Sequence, residues 1–195
     1  MVAIPELRGD VMAKKRAYQK KSFESTGVSS DTSANIYMSM LLSDAWLDLT
    51  PRQQILYVYA KSRMYGQKTA DKKALFQQYD DMKEPAYIDP FFSLSIYEVT
   101  KVLKLYSETN LARFYKDMEQ LILHGFIKCV ACRSSVRSKK RTIFTYSDKW
   151  QIWGTDDFVI ERKEVTSAMA KKYFSTNISN NEKRKTTNIS NNEKE

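Results

Sequence analysis

The chain has 195 residues and holds two cysteines, one histidine, five glycines and four prolines, and each scarcity closes off a class of protein. Cys129 and Cys132 are too few for the multi-bridge framework of a small secreted domain, and a reducing cytosol would keep them as thiols. With so little glycine no loop is glycine-rich, and neither the G-x-x-x-x-G-K-[ST] phosphate loop nor the G-x-S-x-G elbow occurs. His124 alone is a poor acid–base inventory. It falls in the last turn of an expected helix, where its ring is set to meet free carbonyls rather than to act as a base. No enzyme, cofactor or small-molecule substrate is therefore expected. No apolar run approaches the ~18 to 20 residues that span a bilayer, and residues 1–10 lack an apolar signal core. The expectation is a cytoplasmic protein without a membrane partner.

Positive charge, in contrast, is plentiful. Thirty-two Lys and Arg against 23 Asp and Glu give +9 at neutral pH and a pI near 9.4. That surplus favours a polyanionic partner such as nucleic acid or an anionic membrane surface, and charge alone does not choose between them. The length suits one core with extensions.

Both ends are poor in apolar residues. Residues 1–34 carry Lys14-Lys15-Arg16 and Lys20-Lys21 and then a Ser/Thr-rich run, and they read as a basic flexible arm. Residues 175–195 read as a disordered tail holding a direct repeat, since Thr176–Lys183 recurs as Thr187–Lys194. Two copies with one Ile each cannot stack into a solenoid.

The folded part is expected over 35–154. Thr50-Pro51-Arg52-Gln53 places Thr at an N-cap, Pro at the first helical position and Gln three after the cap, so a first helix begins there. Ile55, Leu56, Tyr59 and Ala60 keep helical spacing until Gly66, and Leu41, Leu42, Trp46 and Leu49 should pack on that helix. Residues 67–90, with Pro85 and Pro90, read as an insertion loop. Phe91-Phe92-Ser93-Leu94 reads as a short strand. Ser95-Ile96-Tyr97-Glu98 is a second capping box, opening a second helix through Val99, Val102 and Leu103. After a short turn at Leu105-Tyr106-Ser107, Leu111, Phe114, Met118, Leu121 and Ile122 step by three and four as a third helix that Gly125 stops. Strands are predicted from Phe126 to Arg133 and from Thr142 to Tyr146, with a cationic turn between them.

Helix, strand, helix, helix, hairpin is the winged helix-turn-helix plan: mainly α with a small β-hairpin wing, an α+β class. In that plan the third helix enters the major groove and the hairpin meets the backbone or the minor groove. The residues opposite its apolar stripe are Asn110, Arg113, Lys116, Asp117 and Gln120, to which Ser107 and Thr109 are added at its start. Asn, Gln and Arg pair bidentately with adenine or guanine edges, although an ordinary solvated face has the same composition. The hairpin is more specific. From Lys128 to Arg141 there are six cations and no acid, whereas a merely soluble turn mixes signs. Arg133, Arg137, Lys139, Lys140 and Arg141 are the candidate wing contacts.

Cys129-Val130-Ala131-Cys132 raises metal or redox chemistry. Residues three apart on a regular strand point to opposite faces, and one pair with one histidine falls short of four zinc ligands. The expectation is two small buried strand residues, with no metal site. Trp150 and Trp153 are read as a C-terminal turn folded back on the core. A short amphipathic helix within residues 155–174, with Val165, Ala168, Met169, Lys172 and Tyr173 on one face, offers a homodimer surface or a surface that packs on its own chain.

The run Leu41-Leu42, Trp46, Leu49-Thr50, Leu56-Tyr57 and Arg63, then Phe91-Phe92, Leu121-Ile122-Leu123-His124-Gly125-Phe126-Ile127 and Tyr146-Ser147-Asp148-Lys149-Trp150 resembles the N-terminal winged-helix domain of RepA-type plasmid replication initiators and related mobile-element proteins. The resemblance implies binding to repeated origin sites, usually as dimers, through Asn110, Arg113 and Lys116 and through Arg137 to Arg141. The combined expectation is sequence-specific binding of double-stranded DNA at a replication origin, transfer origin or operator. The alternatives are a winged-helix protein-interaction module and a transcriptional repressor without an initiator role.

Overall fold

The computed structural model describes residues 33–66, 90–132 and 140–174, which belong to one compact unit. Two one-turn helices, α1 (Met38–Leu41) and α2 (Asp44–Leu47), lead into α3 (Pro51–Gly66). Ser43 caps α2, its side chain accepting from the Trp46 amide at 3.3 Å. At the start of α3 the expected box is half formed, because the Gln53 side chain reaches back to the Thr50 N–H at 2.8 Å. Strand β1 (Phe91–Phe92) follows, then a helical turn with π-helical pairing over Glu98–Val102, α4 (Leu111–Leu123), β2 (Ile127–Ala131), β3 (Ile143–Tyr146), two short 3-10 turns and α5 (Ser167–Phe174). The strands form one antiparallel sheet in the order β1-β3-β2. The class is thus helical with a small antiparallel sheet.

The second capping box is complete, with the Ser95 amide donating to Glu98 Oε2 at 2.7 Å and the Glu98 amide to Ser95 Oγ at 3.2 Å. At the far end of α4 the expected stop at Gly125 takes a specific form. Gly125 sits at φ +74, its N–H donates to the Ile122 carbonyl and that of Phe126 to the Leu121 carbonyl. This pair of bonds is the Schellman closure. The turn delivers Phe126 into an aromatic core, 5.0 Å from Tyr57 and stacked on Trp150 at 6.0 Å. Trp153 stacks on His124 at 4.8 Å, so both tryptophans fold back as expected. His124 Nδ1 meets the Gln120 carbonyl at 2.8 Å, as the helix-end reading required, and Nε2 meets Asp48 at the same distance.

Several expectations are corrected. Leu42 is 67% exposed and does not pack on α3, although Trp46 and Leu49 do. The buried face of α3 is Gln53, Leu56, Tyr57 and Ala60, while Ile55 is 50% exposed. The stripe is rotated by about one residue: Gln53 enters with its side chain bonded to the Thr50 N–H and to Asp117, and Tyr57 packs its ring against Trp46 and Phe126. Val102 is exposed as well, since widening the turn to π-helical spacing swings it off the face that Val99 buries. The link between that turn and α4 runs from Leu103 to Asn110, longer than expected, and includes Lys104 at φ 53. The amphipathic C-terminal helix is confined to α5. Its Met169 is buried, with Val165, in the chain's own core, while Lys172 and Tyr173 bond Glu119 of α4. The 67–90 insertion, apart from Pro90, lies outside the described residues, as do the first 32 residues and the repeated tail.

Candidate nucleic-acid interface

Helix α4 is amphipathic. Phe114, Met118, Leu121 and Ile122 face the core, and this burial orients the opposite face outward. On that outer face Asn110, Arg113 and Lys116 are exposed and Gln120 is half-buried. Asn110 occupies the N-cap position, and its amide makes no capping bond. Ser107 and Thr109 are exposed just before it, their hydroxyls 2.7 Å apart. Five of the predicted residues, Ser107, Thr109, Asn110, Arg113 and Lys116, are thus exposed, and Gln120 is half-buried.

Asp117 does not belong to that surface. It is 3% exposed and accepts from Arg52 Nε at 2.6 Å, Tyr106 Oη at 2.8 Å and Gln53 Nε2 at 3.0 Å. Burial pushes its carboxyl up, but the bonds from Arg52, Tyr106 and Gln53 outweigh burial and hold its pKa below the usual carboxylate value. The apolar stripe hid this residue because a charged side chain at a polar-looking phase reads as solvated. Tyr106 and Arg52, to which the sequence pattern assigns no role, are what make its burial tolerable. The Tyr106 ring also lies under the Arg52 guanidinium, 5.6 Å from its centroid.

The electrostatic result concerns the whole face. Helix α4 has two acids, and both are engaged from elsewhere in the chain: Asp117 by Arg52, and Glu119 by Lys172 at 2.7 Å and by the Tyr173 hydroxyl. Glu108, on the preceding link, pairs with Lys101 at 3.2 Å. Arg113 and Lys116 thus dominate the outward field of the helix.

Of the predicted wing residues, Lys140 is half-buried and Arg141 exposed at the entry to β3, while Arg133, Arg137 and Lys139 lie outside the described residues. Strand β2, which leads to that turn, packs against α4.

The cysteine pair is the other correction. In β2, Cys129 faces Phe144 and Ala131 faces Ile143, so Val130 is an extra residue in a bulge. Burial still alternates along β2 through Ala131, but Cys132 lies one residue beyond the end of the strand, and its sulfur meets that of Cys129 rather than facing the opposite side.

No protein-family model matches the chain, and no curated protein or solved structure is significantly similar to it. Among the described residues, no helix is long and apolar enough to cross a membrane.

Proposed function

We propose that this chain is a winged helix-turn-helix protein that binds duplex DNA sequence-specifically, with α4 in the major groove and the basic hairpin on the backbone. The observation that carries the reading is the outer face of α4. It combines Asn110, Arg113, Lys116 and Gln120, side chains able to read or approach base edges and phosphates, while both acids of the helix are held inward or sideways by internal cations. The order of elements and the β1-β3-β2 sheet support the same reading, because they set a hairpin beside the helix that would lie in the groove. The site would be an origin, transfer origin or operator of a plasmid or mobile element, and the mechanism involves no catalytic step.

Titration of random and enriched duplex pools at physiological salt tests this. The expected result is a discrete preferred sequence, and Arg113→Ala should cost about 1–3 kcal/mol at one base pair of it. Equal loss on preferred and random DNA would move Arg113 to the phosphate contacts. Absence of any preference would leave a protein-interaction module. One observation favours that second reading: Tyr37, Met38, Leu42 and Leu47 are all exposed on or beside α1 and α2, an apolar surface of the kind that meets another protein chain.

A further inference from the structure

The bulged end of β2 borders a groove of about 460 Å³ lined by Cys129, Cys132, Arg162, Lys163, Ser167 and Lys171, among others. Cys132 is half-buried at this groove, and Cys129 lies deeper. Cys129 donates its S–H to the Cys132 sulfur. Ser167, the first residue of α5, donates its backbone N–H and its hydroxyl to the same sulfur, and the Thr142 hydroxyl does likewise. Every one of these bonds stabilises a thiolate. The groove's cations suit a negatively charged visitor, and no acid is among the residues that line it. Lys163 pairs with Glu161 at 2.7 Å, an ion pair that lies at the surface. A metal cation would face three like charges with two sulfurs to bind it, and among the described residues no third Cys, His, Asp or Glu completes a metal group.

We propose that Cys132 and Cys129 form a thiol–disulfide exchange site for small anionic disulfides, with Cys132 as the attacking sulfur and Cys129 as the resolving one. The inference is independent of DNA binding. The Cys132 thiolate attacks one sulfur of the reagent's S–S bond. That bond breaks, its electron pair leaves on the departing thiolate, and a mixed disulfide forms at Cys132. Cys129 then loses its proton to solvent and attacks the Cys132 sulfur, releasing the second small thiolate. The protein dithiol is oxidised to a disulfide, and the reagent is reduced to two thiols, each taking up one proton. The bond from Cys129, chief among the causes, holds the Cys132 thiol below the usual thiol value and favours its thiolate. The hydrogen bond it gives to Cys132, together with burial, pushes the Cys129 thiol up, which keeps it protonated until the first step has consumed its acceptor.

The test is intact-mass analysis of the full native chain treated with glutathione disulfide, an anionic probe, and with 2-hydroxyethyl disulfide, a neutral one. Wild type is expected to lose two hydrogens, Cys129→Ser to retain half of the reagent on Cys132, and Cys132→Ser to take up neither. An Arg162→Gln/Lys171→Gln variant, whose changes are on the surface, should react about tenfold more slowly with glutathione disulfide and at an unchanged rate with the neutral probe. Circular dichroism matching that of wild type shows that each variant is folded. An adduct on Cys129 with Cys132 unreacted would overturn the assignment of roles. Reaction only after unfolding, or equal slowing with both probes, would overturn the site.

Discussion

Asp117 is a buried carboxylate that three side chains from two other segments bond at once. Its carboxylate joins α3 through Arg52 and Gln53, and the link before α4 through Tyr106. Removing it leaves a guanidinium, an amide and a phenol without their shared acceptor, so Asp117→Ala should destabilise the fold by about 2 kcal/mol, read by urea unfolding. The pH dependence follows from the lowered carboxyl. A depressed folded-state value gives stability that is fully present above the unfolded carboxylate value, fades as pH falls, and is gone below the folded one. Wild type and Asp117→Ala should therefore differ most near neutrality and converge in acid. A constant difference down to strongly acidic pH would assign the loss to packing instead. None of this was legible in the sequence, because Asp117 sits at a solvent-like phase of α4 and its partners on α3 are more than sixty residues away. Cys132 makes the same point for chemistry. Alternation put it across the strand from Cys129, but the strand ends at Ala131 and the rule does not reach Cys132. Iodoacetamide modification of Cys132 should show an inflection below the ordinary thiol range, and Cys129→Ala should move it upward by removing the main donor.

Elements ended where local chemistry demanded it, and those ends were the most legible features. The Ser95–Glu98 box needs only residues three apart, and the stop at Gly125 needs only a residue that tolerates positive φ. The phase of α3 was less legible. Ile55 and Leu56 are adjacent apolar residues with nearly equal claims on the core, and the choice of Leu56 depends on where Trp46 and Phe126 stand. Gly125 allows a sharper test than its conformation alone. A Cβ there would lie 2.7 Å from the Lys149 carbonyl carbon and from the Trp150 nitrogen, both backbone atoms that cannot swing away. Gly154 has a similar φ and nothing within 4 Å of its would-be Cβ. Gly125→Ala should therefore cost about 2–4 kcal/mol, strain plus overpacking, and Gly154→Ala about 1 kcal/mol from strain alone. Thermal or urea unfolding of the two variants checks the ordering. Equal losses would mean that the Trp150 turn gives way without penalty and does not brace the end of α4.

For the whole molecule the decisive quantity is how its positive charge is placed rather than how much there is. Internal pairing takes up Arg52 with Asp117 and Lys172 with Glu119, and those cations serve the fold. The outer face of α4 and the run from Lys128 to Arg141 hold cations in a different setting, since that run has no acid at all. If the proposed DNA complex forms, the two groups should fail differently when neutralised. Arg113, on the helix, should change which sequence is preferred. Replacing Lys139, Lys140 and Arg141 together by Gln should weaken preferred and random duplexes by similar factors, because phosphates carry no direct base identity. The same triple change should flatten the plot of log affinity against log salt by up to about 2.7, at about 0.9 for each phosphate that is no longer neutralised. The unfolding midpoint checks that the fold survives. A correctly folded triple variant with an unchanged salt slope would place the hairpin away from DNA. Loss confined to the preferred duplex would make the hairpin a reader of the minor groove, where an inserted Lys or Arg senses groove width and A·T content as well as charge.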